Sequence, residues 1–255
     1  MNDMLKTDAS IEEETDVLGG GNFKALPSDL YDMTIDTAYF DKSKGGAMSL
    51  NLQMSNAKGD NLRQTIYITS KAGRNFYMVR DKSTGKETGE KRYLPGFNVA
   101  NALCLLTVGK EISDVATEEK TLKLYDFTQG KEVPQQRQVL ISLLGTRVTL
   151  GIIKQIEDVN VEGPDGEWVA SGKTRTSNEI NKVFRASDGL TVPEIRAKST
   201  TPEFRDKWLE KNKDTVNDRT VAQAGEQTAA NTTATAATTT GTAPDAGEGS
   251  LFAQP

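Results

Sequence analysis

From Met48 to Thr69 the chain alternates apolar and polar residues with a period of two, interrupted by one short polar turn. "AMSLNLQMS" sets Met48, Leu50, Leu52 and Met54 against Ser49, Asn51 and Gln53. "LRQTIYIT" sets Leu62, Gln64, Ile66 and Ile68 against Arg63, Thr65, Tyr67 and Thr69. Such a period puts one face on a core and the other in water, which suits a half-buried strand and no helix. The preceding "LYDMTIDTAYF" carries the same period and places Tyr31, Met33 and Ile35 on one face. The connections "DKSKGG" and "NAKGD" are short and built from turn residues, so an antiparallel three-strand meander is expected.

Beyond Pro95 the period changes. In "PGFNVANALCLLTVG", Val99, Ala102, Leu103 and Leu106 keep helical spacing, with Asn98 as the expected N-cap. "QVLISLLG" fits a short helix or a strand equally well. "RVTLGIIKQIEDV" alternates Val148, Leu150 and Ile152 as a strand, and Asp165-Gly166 predicts a tight turn returning the chain toward "NEINKVFRA". "PEFRDKWLEK" reads as a short helix with Pro202 in its first turn and Phe204 and Trp208 four residues apart. Three meandering strands, a helix and then further strands make the element order of an OB-fold, a small antiparallel barrel that binds its ligands across strands 2 and 3. Other small barrels share parts of that order. The expectation is a mainly β, OB-fold-like barrel with one or two short helices and disordered termini.

The ends differ from this body. Residues 1–21 hold one cation against six anions and finish in "GGG", reading as a flexible acidic arm. Residues 214–255 are Ala/Thr-rich with one cation and five anions, too poor in apolar groups to offset chain entropy, and read as a disordered linker. The folded domain is therefore expected over residues 22–213, which carry a balance of +4. No histidine occurs and Cys104 is the single cysteine, which removes the usual zinc sets, disulfides and Ser/His or Cys/His nucleophile pairs. Cys104 lies at an apolar position and is expected buried and inert. The acidic start lacks the basic and apolar segments of a signal peptide, and no apolar run approaches the ~20 residues of a membrane span, so a soluble cytoplasmic protein is expected. "SGKTRTSN" has the end of a phosphate loop, yet Glu167 stands where the pattern needs glycine. No enzyme activity, metal or cofactor is expected.

Charge concentrates in one segment. Residues 42–92 hold eleven Lys or Arg against Asp60, Asp81, Glu87 and Glu90, a balance of +7. Rings are interleaved with the cations in "KAGRNFYMVRDKSTGKETGEKRYLPGF". Unpaired nucleic acid needs both properties, because phosphates are held by dispersed positive charge and exposed bases stack on aromatic faces. The candidate binding residues are Lys42, Lys44, Arg63, Tyr67, Lys71, Arg74, Phe76, Tyr77, Arg80, Lys82, Lys86, Lys91, Arg92 and Tyr93. Lys173 and Arg175 are candidates to extend the groove, while Phe76 and Phe97 read more readily as core. At the far end, "PDAGEGSLFAQP" sets Asp245 and Glu248 beside Leu251 and Phe252, an acidic and apolar tip suited to a basic-rimmed pocket on a partner.

Together the basic aromatic string "LRQTIYITSKAGRNFY", the OB-like body and the low-complexity linker with its Phe-containing tip resemble the single-stranded DNA-binding proteins encoded by bacteriophages. "LLGTRVTLGIIKQIED" followed by "NEINKVFRASDGLTVPEI" is similar to strings in the same group. The resemblance implies coating of exposed strands without sequence preference during phage replication, recombination or repair in the host cytoplasm. It also implies Tyr67, Phe76 and Tyr77 as stacking residues and a tip that recruits replication or recombination proteins. One departure touches the tip, since Ala253, Gln254 and Pro255 follow Phe252 where such tails place the ring at or beside the terminus. A virion assembly module, associating only with copies of itself, and a strand-annealing accessory protein suit the same residues. Homo-oligomers are compatible with each reading.

Overall fold

A computed structural model describes residues 25–126, 129–162 and 168–220. The acidic arm 1–21, the Asp165-Gly166 turn and the tip with Asp245, Glu248, Leu251 and Phe252 lie outside the described residues. The meander is present: β1 (Asp29–Lys42), β2 (Met48–Ser55) and β3 (Asn61–Tyr67) pair antiparallel in sequence order. Leu50, Leu52, Met54, Leu62 and Ile66 point inward and are buried, and Arg63, Thr65 and Tyr67 point outward, as the alternation requires. Met48 and Ser49 depart from it, Met48 being 41% exposed at the start of β2 and the outward Ser49 buried at 4%.

β1 also departs from a uniform period. A bulge between Ile35 and Thr37 inserts an extra residue, so inward Met33 and Ile35 are followed by inward Ala38 rather than by Thr37 and Tyr39. Because the side-chain period is two, one added residue exchanges the faces. Tyr39 thereby joins the outer face opposite Asn51.

The chain continues through a separate hairpin of β4 (Phe76–Arg80) and β5 (Glu87–Tyr93) into α1 (Pro95–Val108). Asn98 is not the N-cap of α1. Leu94 occupies that place with extended backbone, and Pro95 follows it in the first turn, where its missing N–H costs nothing. β6 (Glu118–Asp126) and β7 (Lys131–Val139) make a long hairpin whose end pairs with β1. The string "QVLISLLG" resolves into the end of β7 followed by a single 3-10 turn at Ile141–Leu143. β8 (Arg147–Glu162) pairs with β1 through residues 147–152, and β9 (Trp168–Arg185) returns along it. α2 (Val192–Arg196), α3 (Glu203–Asn212) and β10 (Val216–Asp218) complete the body.

The result is a mainly β, barrel-like antiparallel sheet that hydrogen bonds do not close. The gap falls between β3 and β9, and α1 fills it: Ala100, Leu103, Cys104 and Leu106 share one core with Leu62, Ile66 and Ile68 of the β3 segment and Ile180 and Val183 of β9. A second cluster seats α3 on β8, with Trp208 against Phe184 and its Nε1 donating to Asn181 Oδ1 at 2.7 Å. Gly151 is required there, since a Cβ would come within 2.8 Å of the Trp208 ring.

The ordered body runs past residue 213, the boundary read from composition. Asp214 N–H donates to the Ser28 carbonyl, Ser28 Oγ donates to the Thr215 carbonyl at 2.6 Å, and β10 lies parallel beside residues 154–156 of β8. Three residues with no buried side chain give composition nothing to register.

Candidate nucleic-acid interface

The outer face of the meander is a small grid of polar residues set by the strand register. Its rows are Thr37, Gln53 and Arg63; Tyr39, Asn51 and Thr65; and Asp41, Ser49 and Tyr67. Thr65 Oγ1 donates to Asn51 Oδ1 at 2.7 Å, and Asn51 Nδ2 donates to Ser49 Oγ at 3.1 Å, so the middle of the grid is held rigid. Burial first, and then the Asp41 carboxylate, raises the pKa of the Tyr39 phenol, against the opposing influence of Arg137 and Arg63. Arg137 Nε stands 3.4 Å from Asp41 Oδ1, an ion pair that takes up the carboxylate on this face.

At the Tyr67 end of β3 several segments converge. The β1–β2 turn and the loop after β3 are joined where Ile68 N–H donates to the Met48 carbonyl and Met48 N–H donates to Thr69 Oγ1. The Lys71 side chain lies over Gly45, and the Lys42 stem approaches Gly46 beside the Lys71 carbonyl. Lys44 sits in the same turn and Arg74 in the same loop, both exposed. The first turn of α1 closes on this end so tightly that a Cβ at Gly96 would fall 2.1 Å from the Tyr67 carbonyl oxygen. Only glycine permits that approach.

The β4–β5 hairpin springs from the same place, tied at its base by Leu94 N–H donating to the Asn75 carbonyl. Phe76, Met78, Lys91 and Tyr93 share one of its faces, with Lys91 Nζ 4.9 Å from the Phe76 ring centroid and Tyr93 stacked on Phe97 at 4.8 Å. Tyr77 and Arg92 share the other. At the tip, hydrogen bonds from Ser83 and Thr84 hold the Asp81 carboxyl down to about 2, so its lone pairs serve the turn. Arg80 is paired with Glu87 and Arg92 with Glu90. Among the described residues no carboxylate pairs with Lys42, Lys44, Arg63, Lys71, Arg74, Lys82, Lys86 or Lys91.

Three of the candidate rings are exposed, Tyr67 by 54%, Tyr77 by 46% and Tyr93 by 56%, with Tyr93 turning one face onto Phe97. Phe97 packs against the core, and Phe76 is half-buried under Lys91. Lys173 and Arg175 stand on the outer half of β9, where Arg175 pairs with Glu157 at 2.9 Å. That string is extended strand rather than a phosphate loop.

Sequence reasoning missed Tyr39 and a groove of about 510 Å³ beside the hairpin. Lys91, Arg92 and Tyr93 form one wall of this groove, α1 its floor, and the end of β9 with α2 the other wall. Tyr39 escaped because Asp36 keeps the regular outward place of the alternation, so nothing in the sequence marks the bulge before Thr37 and Ala38 exchange faces. The groove escaped because its walls lie far apart along the chain.

Among the described residues no group of three His, Cys, Asp or Glu side chains is placed to hold a metal ion, and no helix is long and apolar enough to cross a membrane. No known protein family, curated protein or solved structure matches the chain.

Proposed function

We propose that this protein binds single-stranded DNA without sequence preference, coating exposed strands during replication, recombination or repair. The observation that carries the reading is the convergence at one end of β2–β3. Tyr67 on β3 and Tyr77 and Tyr93 on opposite faces of the hairpin each keep ring surface in water, Tyr93 on the side away from Phe97, with Lys42, Lys44, Lys71, Arg74 and Lys91 nearby and without carboxylate partners among the described residues. Phosphates require mobile positive charge, which Lys42, Lys71, Lys82 and Lys86 supply at exposed positions. Bases require flat apolar faces that no neighbour already covers, and each such contact contributes about 1–3 kcal/mol. The hydroxyls and amides of the grid next to Tyr67 are largely bonded to one another, which leaves few donors aimed outward to select one base. Such work belongs in the cytoplasm, and for a phage-encoded chain in that of the host. Recruitment of replication proteins through Leu251 and Phe252 rests on the sequence of the tip alone. Titrating a fluorescein-labelled oligo-dT of some thirty nucleotides with the protein at low salt tests the reading by anisotropy. Saturable binding is expected, and no rise in anisotropy at micromolar protein would overturn it.

A further inference from the structure

We infer that the groove between the β4–β5 hairpin, α1 and α2 holds one nucleotide of the bound strand, which leaves the sheet face at Tyr67 and enters beside Tyr93. The inference rests on the single-strand reading and extends it to a surface built from residues 90–105 and 181–196. Three features of the groove point to this ligand. Its floor and far wall are mixed: Val99, Ala102, Leu105, Val192 and Pro193 offer apolar surface for a base, and Asn98, Asn101, Asn181 and Thr191 stand among them as hydrogen-bonding groups for its polar edge. Its rim is cationic: Lys91 and Arg92 stand on the hairpin side and Arg196 on α2, whereas Glu90 is the one carboxylate in the lining and is already paired with Arg92. Its volume of about 510 Å³ suits a nucleotide, because pockets for small ligands run from about 300 to 1,000 Å³.

The geometry also supplies a path. Gly96 abuts the Tyr67 carbonyl, Tyr93 stacks on Phe97 one residue beyond Gly96, and Tyr93 itself lines the groove. A strand crossing Tyr67 is thus led along the base of the hairpin to the groove mouth. Arg196 then meets a phosphate from the side opposite Lys91. Its guanidinium is largely exposed and lies 3.3 Å from Glu111, itself fixed by the Asn101 amide. Exchange of that solvated ion pair for a phosphate leaves Glu111 with its amide partner.

Arg196 decides the matter, because it lies outside the basic stretch and outside the core. In oligo-dT anisotropy titrations over a range of salt, Arg196→Ala is expected to weaken binding about 3- to 10-fold. It should also flatten the slope of log K against log [salt] by about 0.7, the loss of one phosphate contact on a single strand. Arg196→Lys should restore the slope, and Arg205→Ala, on α3 and outside the groove lining, should match the wild type in both. Wild-type affinity and slope in Arg196→Ala, with binding still weakened by Tyr67→Ala, would overturn the groove and leave strand binding standing. Absence of oligonucleotide binding by the wild type would overturn both. An equal loss in Arg196→Ala and Arg196→Lys, with a lowered melting temperature, would assign Arg196 to packing and overturn its phosphate role.

Discussion

Tyr67 concentrates the argument at the scale of single residues. Its ring stands on the outer face of β3 and takes no part in the core, while its carbonyl is pressed against Gly96. Tyr67→Ala keeps that backbone contact and removes only the ring. It is therefore expected to weaken single-strand affinity on the order of tenfold, within the range of a lost base stack, and to leave the melting temperature unchanged. A variant that melts early would place the ring in the fold instead. Cys104 makes the opposite case. Burial pushes its thiol up from 9.0 to about 12. The folded state holds that proton more tightly than the unfolded chain does, so the contribution to stability is full below pH 9.0 and is lost as the pH climbs toward 12. Native protein at pH 8 should be inert to a thiol reagent that labels it within minutes once urea has unfolded it.

Among the elements, the join between β3 and α1 holds the candidate interface together. Gly96→Ala forces a methyl group into the Tyr67 backbone, which cannot swing aside as a side chain could. A loss of about 1–3 kcal/mol is expected, the range for overpacking, read as a lower midpoint in thermal or urea denaturation. An unchanged midpoint would mean that helix and strand do not meet this closely. The strands of the meander were legible because Leu50, Leu52, Leu62 and Ile66 repeat at the period that one-sided burial imposes. α1 was legible for the same reason at the helical period, apart from its start, where Pro95 takes the first turn and pushes the cap back to Leu94. β4 and β5 were not legible as strands. They bury no residue fully, so their sequence answers to solvent and to turn chemistry rather than to a core. β6 and β7 are similar, with Val139 as their one buried residue. For the site, composition found the cations and rings but not their grouping, which depends on Gly96, on the bulge in β1 and on a wall contributed by α2.

At the scale of the whole molecule, the long pairings decide what can be removed. β10, the Ser28 hydrogen bonds and the 2.7 Å pair between Arg219 and Glu179 all involve residues beyond 213. Truncation after Thr220 should therefore keep the melting temperature of the full chain, and truncation after Lys213 should lower it. The shorter deletion also removes Glu226, Asp245 and Glu248, so affinity for oligo-dT should be kept or raised, most visibly at low salt where like charges are least screened. Weaker binding by the 1–220 chain would contradict this. On the single-strand reading one end of the β2–β3 face, continued onto the β4–β5 hairpin, receives unpaired bases. Photo-crosslinking with an oligonucleotide carrying 5-iododeoxyuridine, followed by peptide mapping, tests it most directly. Adducts are expected at Tyr67, Tyr77 and Tyr93; adducts confined to β6–β7 or to the outer half of β8–β9 would rule this interface out.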